Sequence, residues 1–196
     1  MGTEHEQAPI RWLLFIYRVP QEPPARRTYV WRALRQLGAV YLQQAAAILP
    51  QRPELQEALN RLSAQVTEFK GEVSMLETVS PDPAWQHHVI EQFNLARAKE
   101  YAEVLENLER FEDEVRRETR KNKFTFAELE DLESDWEKLQ RWQERVERRD
   151  FFCSPCRPEV TEALERARVL LGVFSVAVYS HEGVAALNPT LIPDSP

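Results

Sequence analysis

The sequence predicts an α+β protein with two parts: an N-terminal ferredoxin-like β-α-β-β-α-β domain over residues 10–80 and a helical domain over residues 84–180. Short apolar runs of strand length alternate with helical patterns as far as residue 79. After residue 84, every sizeable segment has helical spacing instead. The segment Ser-Pro-Asp-Pro at residues 80–83 separates the two patterns and predicts a domain boundary.

The first strand and helix lie within IRWLLFIYRVPQEPPARRTYVWRALRQLG, which ends at Gly38. Residues 12–17 form an apolar, aromatic run of strand length that Pro20 closes. Pro23 and Pro24 favour a helix start, and Gly38 favours its end. The helix repeats apolar residues at a spacing of four, which we expect to pack on the sheet: Tyr29, Ala33 and Leu37.

A hairpin, a second helix and a fourth strand complete this domain. Two short apolar runs, residues 40–42 and 46–49, flank a polar glutamine pair and predict the hairpin. Leucines at helical spacing predict a helix that begins near Pro53 and ends before Gly71. Residues 72–79 alternate in polarity, which indicates a strand. This element order predicts a four-stranded antiparallel sheet with both helices on one face.

The second half predicts three helices over residues 89–179. The first runs from about residue 89 to 120, and the second begins at Thr125, whose hydroxyl and the side chain of Glu128 fit a capping box. Two long helices joined by a short loop predict an antiparallel helical hairpin. Pro158 starts the third helix, and residues 181–196 are expected to form a mobile tail.

Charge is distributed unevenly along this acidic chain. The formal net charge is −7, yet residues 1–50 carry six arginines against three acids, which gives +3. Four of the six lie on the first helix: Arg26, Arg27, Arg32 and Arg35. Such a cluster indicates an anionic partner such as DNA, or else a solvated helix face. A second basic cluster at residues 116–123 either complements the helix dipole or binds phosphate.

The sequence carries no recognised catalytic or nucleotide-binding motif. It has only five glycines and no glycine-rich phosphate loop, HExxH or GxSxG, so we predict no enzyme activity, metal site or cofactor. Cys153 and Cys156 form a CxxC pair, which a redox or zinc site could use. The pair lacks both a βαβ context and a second pair of ligands, which favours two loop cysteines. No apolar run spans a membrane and no signal peptide is recognisable, so we expect a cytoplasmic location.

Several stretches in fixed order carry a family resemblance over roughly residues 10–179. They are WLLFIYRVPQEPPARRTYVWRALRQLGAVYLQQAAAILP, then FNLARAKEYAEVLENLERFEDEV, then FTFAELEDLESDWEKLQRWQERVERRDFF. Together they resemble the N-terminal domain of ChrB-type chromate resistance proteins. The resemblance implies a chromate-responsive transcriptional regulator that acts on operator DNA. Members of that family carry a further C-terminal domain, and the resemblance implies that this domain takes part in chromate sensing.

The first seventy residues are also similar in layout to PaaX-type repressors and to small CRISPR-associated nuclease subunits. Those nucleases need an acidic residue at the end of the first strand to hold a metal. Here that position reads Arg18-Val19-Pro20, so a nuclease is not supported.

Two classes of function therefore remain open. In the first, the chain is a regulatory module whose four arginines contact DNA phosphates. In the second, it is a dimerisation or protein-interaction module with no direct contact to DNA. The basic helix favours the first class, whereas the acidic total charge and the lack of a recognisable helix-turn-helix favour the second.

Overall fold

A computed structural model describes residues 9–80 and 82–183, and residues 184–196 of the predicted tail lie outside these ranges. Within them, no helix has both the length and the apolar character needed to cross a bilayer. Contacts divide the chain into two units. One comprises the chain up to residue 96 with residues 149–152, and the other comprises residues 97–148 with the chain from residue 153. The domain boundary at residues 80–84 stays a prediction.

The first unit is built on a four-stranded antiparallel sheet. Its strands are β1 (Arg11–Arg18), β2 (Val40–Gln43), β3 (Ala46–Pro50) and β4 (Glu72–Val79). Their spatial order is β2-β3-β1-β4, so β1 lies inside the sheet between β3 and β4. Leu14 of β1 pairs with Ile48 on one side and Leu76 on the other. The prediction of a mixed α+β protein with an antiparallel sheet is therefore confirmed.

Two helices of the first unit, α1 (Pro24–Gln36) and α2 (Pro53–Glu68), each begin with proline in the first turn, as the sequence predicts. Four apolar side chains bury one side of α2: Leu55, Leu59, Leu62 and Val66. In α1 the fully buried residues are Val30 and Leu34. The predicted core stripe is wrong at Tyr29, which is 49% exposed. The neighbouring residue faces the core because one position rotates a side chain by about 100° around a helix.

An aromatic cluster closes one end of the first unit. Two of its rings, Trp85 and Phe93, belong to the helix α3 (Pro83–Arg120), which begins earlier than the predicted residue 89. The indole of Trp12 stacks on the Phe93 ring, with 6.0 Å between centroids. It also meets the rings of Trp85 and Phe152 at 6.2 and 5.8 Å. Residues of α3 and of 149–152 thus cover the end of β1 where Trp12 lies.

The second unit contains the later part of α3 with α4 (Phe126–Glu147) and α5 (Arg157–His181). The three helices share one apolar cluster. From α5 this cluster takes several apolar side chains: Val160, Ala167, Leu171, Phe174 and Val178.

The cap of α4 is only partly as predicted. The Glu128 backbone N–H donates to the Thr125 hydroxyl at 3.3 Å. The Glu128 carboxylate, however, accepts from Lys123 at 2.9 Å, where a complete capping box requires it to accept from the Thr125 backbone N–H.

Candidate nucleic-acid interface

The helix α1 concentrates positive charge on one short segment. Its thirteen residues, PARRTYVWRALRQ, contain four arginines and no acid. Burial of Val30 and Leu34 attaches one side of this helix to the core of the first unit. The opposite side is therefore presented to solvent with its basic residues, although the chain as a whole is acidic.

Three of the four predicted residues, Arg27, Arg32 and Arg35, are exposed. At about 100° per residue, Arg32 and Arg35 lie on the side of α1 away from Val30, and they are neighbours one turn apart. Arg27 lies at the exposed first turn. We call these three side chains the basic surface of α1.

No ion pair neutralises the basic surface within the part of the chain that the structure describes. Several exposed arginines on other helices are, by contrast, paired with a glutamate on the same helix. Examples of these pairs are Arg61–Glu57, Arg110–Glu106, Arg141–Glu137 and Arg168–Glu165. The absence of acids from α1 thus leaves the three guanidinium groups of the basic surface available for an external anion.

Arg26 is placed differently from the other three. It lies four residues before Val30, on the same side of the helix, and is half-buried. Its Nη1 donates to the backbone carbonyl oxygen of Phe69 at 3.3 Å, and its guanidinium carbon lies 5.5 Å from the centroid of that ring. Arg26 therefore does not share the exposed side of α1 with the other three arginines.

Two exposed aromatic rings accompany the basic surface, and neither was predicted from the sequence to belong to it. Trp31 is 44% exposed, and the guanidinium carbon of Arg35 lies 5.2 Å from the centroid of its ring. Tyr29 lies edge-on to Phe69, with 5.6 Å between centroids. Aromatic rings interleaved with arginines are typical of nucleic-acid-binding surfaces. The sequence does contain a signal for their exposure. Val30 and Leu34 form an apolar i, i+4 pair, and if this pair is the buried one, Tyr29 and Trp31 lie outside the core.

A shallow groove runs along the same helix. It is lined by side chains from successive turns of α1: Ala25, Thr28, Tyr29, Arg32, Ala33 and Gln36. Thr28 and Gln36 contribute polar side chains to the groove, and Arg32 supplies its positive charge. An extended anion lying along α1 would therefore meet both hydrogen-bond donors and positive charge.

Arg35 also borders a pair of tyrosines from the first unit. The Tyr17 and Tyr41 hydroxyl oxygens are 3.1 Å apart, within hydrogen-bond distance. Burial and this hydrogen bond raise the pKa of Tyr41, although the nearby Arg35 opposes the shift. Tyr41 therefore stays neutral and does not cancel the charge of Arg35.

The second basic cluster is organised around the buried Glu118 of α3. Its Oε1 accepts from Arg117 Nε at 2.9 Å and from Lys121 Nζ at 3.1 Å, and its Oε2 lies 3.4 Å from Lys123 Nζ. The hydrogen bonds from Arg117 and Lys121 lower the pKa of Glu118 to about 2. These cations therefore have acidic partners within the chain, unlike the basic surface of α1.

The cysteine pair precedes α5. Cys153 is exposed with a φ of 56°, and Cys156 is half-buried at the N-cap position of α5. Both thiols are free. Across the described ranges, no group of three or more histidine, cysteine, aspartate or glutamate side chains is arranged to hold a metal ion.

Comparison with known proteins identifies the family. The family model for protein ChrB, N-terminal, matches residues 27–184. Protein ChrB of Cupriavidus metallidurans is 31% identical over 97 residues, which cover 50% of this chain and 29% of that protein. The aligned region thus spans less than a third of this curated relative. No solved structure matches the chain. Because the family model covers most of the sequence, the chain belongs to the ChrB N-terminal domain family.

Proposed function

We propose that this protein takes part in chromate-responsive transcriptional regulation by binding DNA through the basic surface of α1. Membership of the ChrB family suggests a role in chromate resistance. One observation carries the DNA-binding part of the proposal: Arg27, Arg32 and Arg35 are exposed on a helix without acids, whereas several exposed arginines on the other helices, such as Arg110 and Arg141, are paired with glutamates. The proposed role is not enzymatic.

In this proposal the three guanidinium groups contact phosphate oxygens of the DNA backbone. Each contact releases a condensed counterion, so the affinity falls steeply as salt is added. Phosphate contacts position a protein on DNA and carry no base sequence directly. Selectivity for an operator would therefore require further contacts to bases or to DNA shape.

A salt titration of DNA binding tests the proposal. Fluorescence anisotropy with a duplex from the protein's own promoter is measured at several salt concentrations for the wild type and for R27A/R32A/R35A. Each phosphate contact removed is expected to lower the slope of log affinity against log salt by about 0.9. The matched control is R61A/R110A/R141A, which removes the same charge from exposed arginines that already have glutamate partners.

The two variants separate local contacts from total charge. Loss of binding only in the α1 variant supports the proposal. Equal losses of DNA affinity in both variants would show that binding depends on net charge and not on α1. Binding that survives the α1 changes would refute the assigned surface. Circular dichroism checks that each variant is folded.

A second candidate function is a protein-interaction module without DNA contact. It is favoured by apolar side chains left exposed in the sheet, with Ile16, Leu42 and Leu76 exposed by 40%, 39% and 51%. Leu14 and Leu42 line a pocket there together with Ile48 and Trp85. A wild-type protein that shows no binding to promoter DNA even at low salt would favour this alternative.

We further propose that the first unit is a ferredoxin-like domain and that α3 and α4 form an antiparallel hairpin. The order β4-β1-β3-β2, with helices after β1 and β3, supports the first assignment. The short connection between Arg120 and Phe126 supports the second. A crystal structure tests both, and a parallel arrangement of α3 and α4 would refute the hairpin.

A further inference from the structure

Trp31 differs from the other tryptophans of this chain, all five of which the structure describes. Trp12 is fully buried, and Trp85, Trp136 and Trp142 are each half-buried against an apolar cluster. Trp31 is 44% exposed, and it belongs to neither of the two clusters. A large ring that is not part of a core is typical of a binding surface.

Trp31 lies between two arginines along one side of α1. Side chains four residues apart are neighbours on a helix, so Arg27, Trp31 and Arg35 follow one another in a row. The guanidinium carbon of Arg35 lies over the indole, 5.2 Å from its centroid. Two such steps separate the arginines by about 12 Å along the helix axis. The row thus presents a positive charge, a flat apolar ring and a second positive charge, in that order.

Tyr29 provides a second ring on the opposite flank of the exposed side. At about 100° per residue, Tyr29 and Trp31 point about 160° apart around α1, with Thr28 and Arg32 on the exposed side between them. Tyr29 is 49% exposed, and its edge-on contact with the Phe69 ring holds its orientation. The arginines of the basic surface are therefore accompanied by an aromatic ring on each flank.

We propose that α1 binds single-stranded DNA, with an unpaired base stacked on Trp31 and the phosphates on either side of that base held by Arg27 and Arg35. The proposal rests on the proposed function, DNA binding through the basic surface of α1, and adds the form of DNA that this surface prefers. The charges are complementary, because α1 carries four arginines and no acid. The row of groups also matches the order along a strand, in which each base lies between two phosphates.

Base pairing determines whether the indole can take part in binding. In a duplex, both faces of a base are covered by its stacked neighbours, and proteins reach only base edges in the grooves. In a single strand the faces are free, and aromatic side chains stack on them whatever the base. Arg35 lies over the indole, yet Trp31 remains 44% exposed, which leaves ring surface for a base.

Fluorescence anisotropy tests the preference with an oligothymidine of about twelve nucleotides, either single-stranded or annealed to its adenine complement. Added salt weakens phosphate contacts but not stacking, so the single strand is expected to bind more tightly than the duplex at high salt. Trp31→Ala should raise the Kd for the single strand about tenfold or more without changing the salt slope. Arg27→Ala should instead lower that slope by about 0.7.

The matched control is Phe126→Ala. It removes another exposed aromatic ring, at a position of α4 in the second unit that is 37% exposed. This variant is expected to keep both the wild-type Kd and the wild-type salt slope. Circular dichroism checks that the Trp31 and Phe126 variants are folded.

Tryptophan fluorescence tests the stacking contact directly. A base stacked on Trp31 should quench its emission, so the single strand is expected to quench the wild type and to leave Trp31→Phe nearly unquenched. Trp142→Phe removes a half-buried tryptophan of the second unit and should retain the quenching. Quenching that persists in full in Trp31→Phe would place the base at another site and overturn the proposal.

Failure of single-strand recognition is distinguishable from failure of DNA binding. Equal affinity for the two forms at high salt, or an unchanged Kd in Trp31→Ala, overturns the single-strand preference, as does an equal loss in Phe126→Ala. A salt slope that still depends on the basic surface would then leave the proposed function standing. Absence of binding to both forms overturns both proposals. Tighter binding to the matching oligouridine than to the oligothymidine would overturn the choice of DNA over RNA.

Discussion

Arg26 Nη1 donates a hydrogen bond to the backbone carbonyl oxygen of Phe69, with 3.3 Å between the two atoms. The guanidinium also lies over the Phe69 ring, at the C-terminal end of α2. This contact connects the start of α1 with the end of α2. Arg26 therefore contributes to the stability of the first unit, in contrast to Arg27 beside it.

Arg26→Ala is expected to destabilise the protein by about 1 kcal/mol, because it removes a half-buried hydrogen bond and a cation–π contact. Arg27→Ala, which removes an exposed side chain, should leave the free energy of unfolding nearly unchanged. Urea denaturation of both variants measures the difference. Equal effects of the two changes would contradict the separation of Arg26 from the basic surface.

Thr125→Ala should destabilise the protein by about 1 kcal/mol, since it removes the side-chain oxygen that accepts from the Glu128 N–H at the start of α4. Thr125→Ser keeps that oxygen and should retain most of the stability. Thermal denaturation of the pair tests the cap. A serine variant as unstable as the alanine variant would show that the threonine methyl group matters more than its hydroxyl.

The contribution of Glu118 to stability should be lost in acid. Hydrogen bonds from Arg117 and Lys121 lower its pKa from 4.5 to about 2 in the folded protein. The folded state therefore binds its proton less readily than the unfolded state does, and the carboxylate stabilises the fold above about pH 4.5. This stabilisation declines as the pH falls from 4.5 towards 2.

Urea denaturation of the wild type and Glu118→Gln across this pH range measures the effect. The difference in unfolding free energy between the two proteins should shrink as the pH falls from 4.5 to 2. Other carboxylates titrate in the same range, but they are common to both proteins. A difference that stays constant over this range would show that the pKa of Glu118 is not lowered by folding.

Core substitutions in the second unit should lower the free energy of unfolding by amounts that depend on how deeply each side chain is buried. The Phe174 ring is 1% exposed and belongs to the apolar cluster, so Phe174→Ala should cost about 3–5 kcal/mol. Trp136 is half-buried and packs against the Phe111 ring, with 5.9 Å between centroids. Trp136→Ala should therefore cost less, about 2 kcal/mol. Chemical denaturation measures the loss of unfolding free energy in each variant. A larger loss for Trp136→Ala than for Phe174→Ala would contradict the partial exposure of Trp136.

Elements marked by strong local signals could be predicted from the sequence. The bounds of β4 agree with the predicted residues 72–79, where polar and apolar residues alternate from Glu72 to Met75. Proline at the start of α1 and α2, and Thr125 before α4, predicted helix starts to within a residue or two. The start of α3 was predicted six residues too late, since the apolar pattern used for it begins only at Val89.

Features that depend on tertiary packing could not be predicted in the same way. The spacing of Tyr29, Ala33 and Leu37 is as regular as that of Val30 and Leu34, and only the sheet decides which side of α1 is buried. Composition identified the four arginines of α1. It could not reveal that Phe69, forty-three positions away, binds Arg26 and leaves the other three exposed.

The return of residues 149–152 to the first unit has a consequence during protein synthesis. Phe151 and Phe152 contact the rings of Phe93 and Trp12, but they leave the ribosome only after all of α3 and α4. The N-terminal core therefore cannot be completed as soon as its own strands emerge, as a contiguous domain could be. A gene fragment ending at residue 96 would likewise encode a sheet whose Trp12 lacks part of its cover.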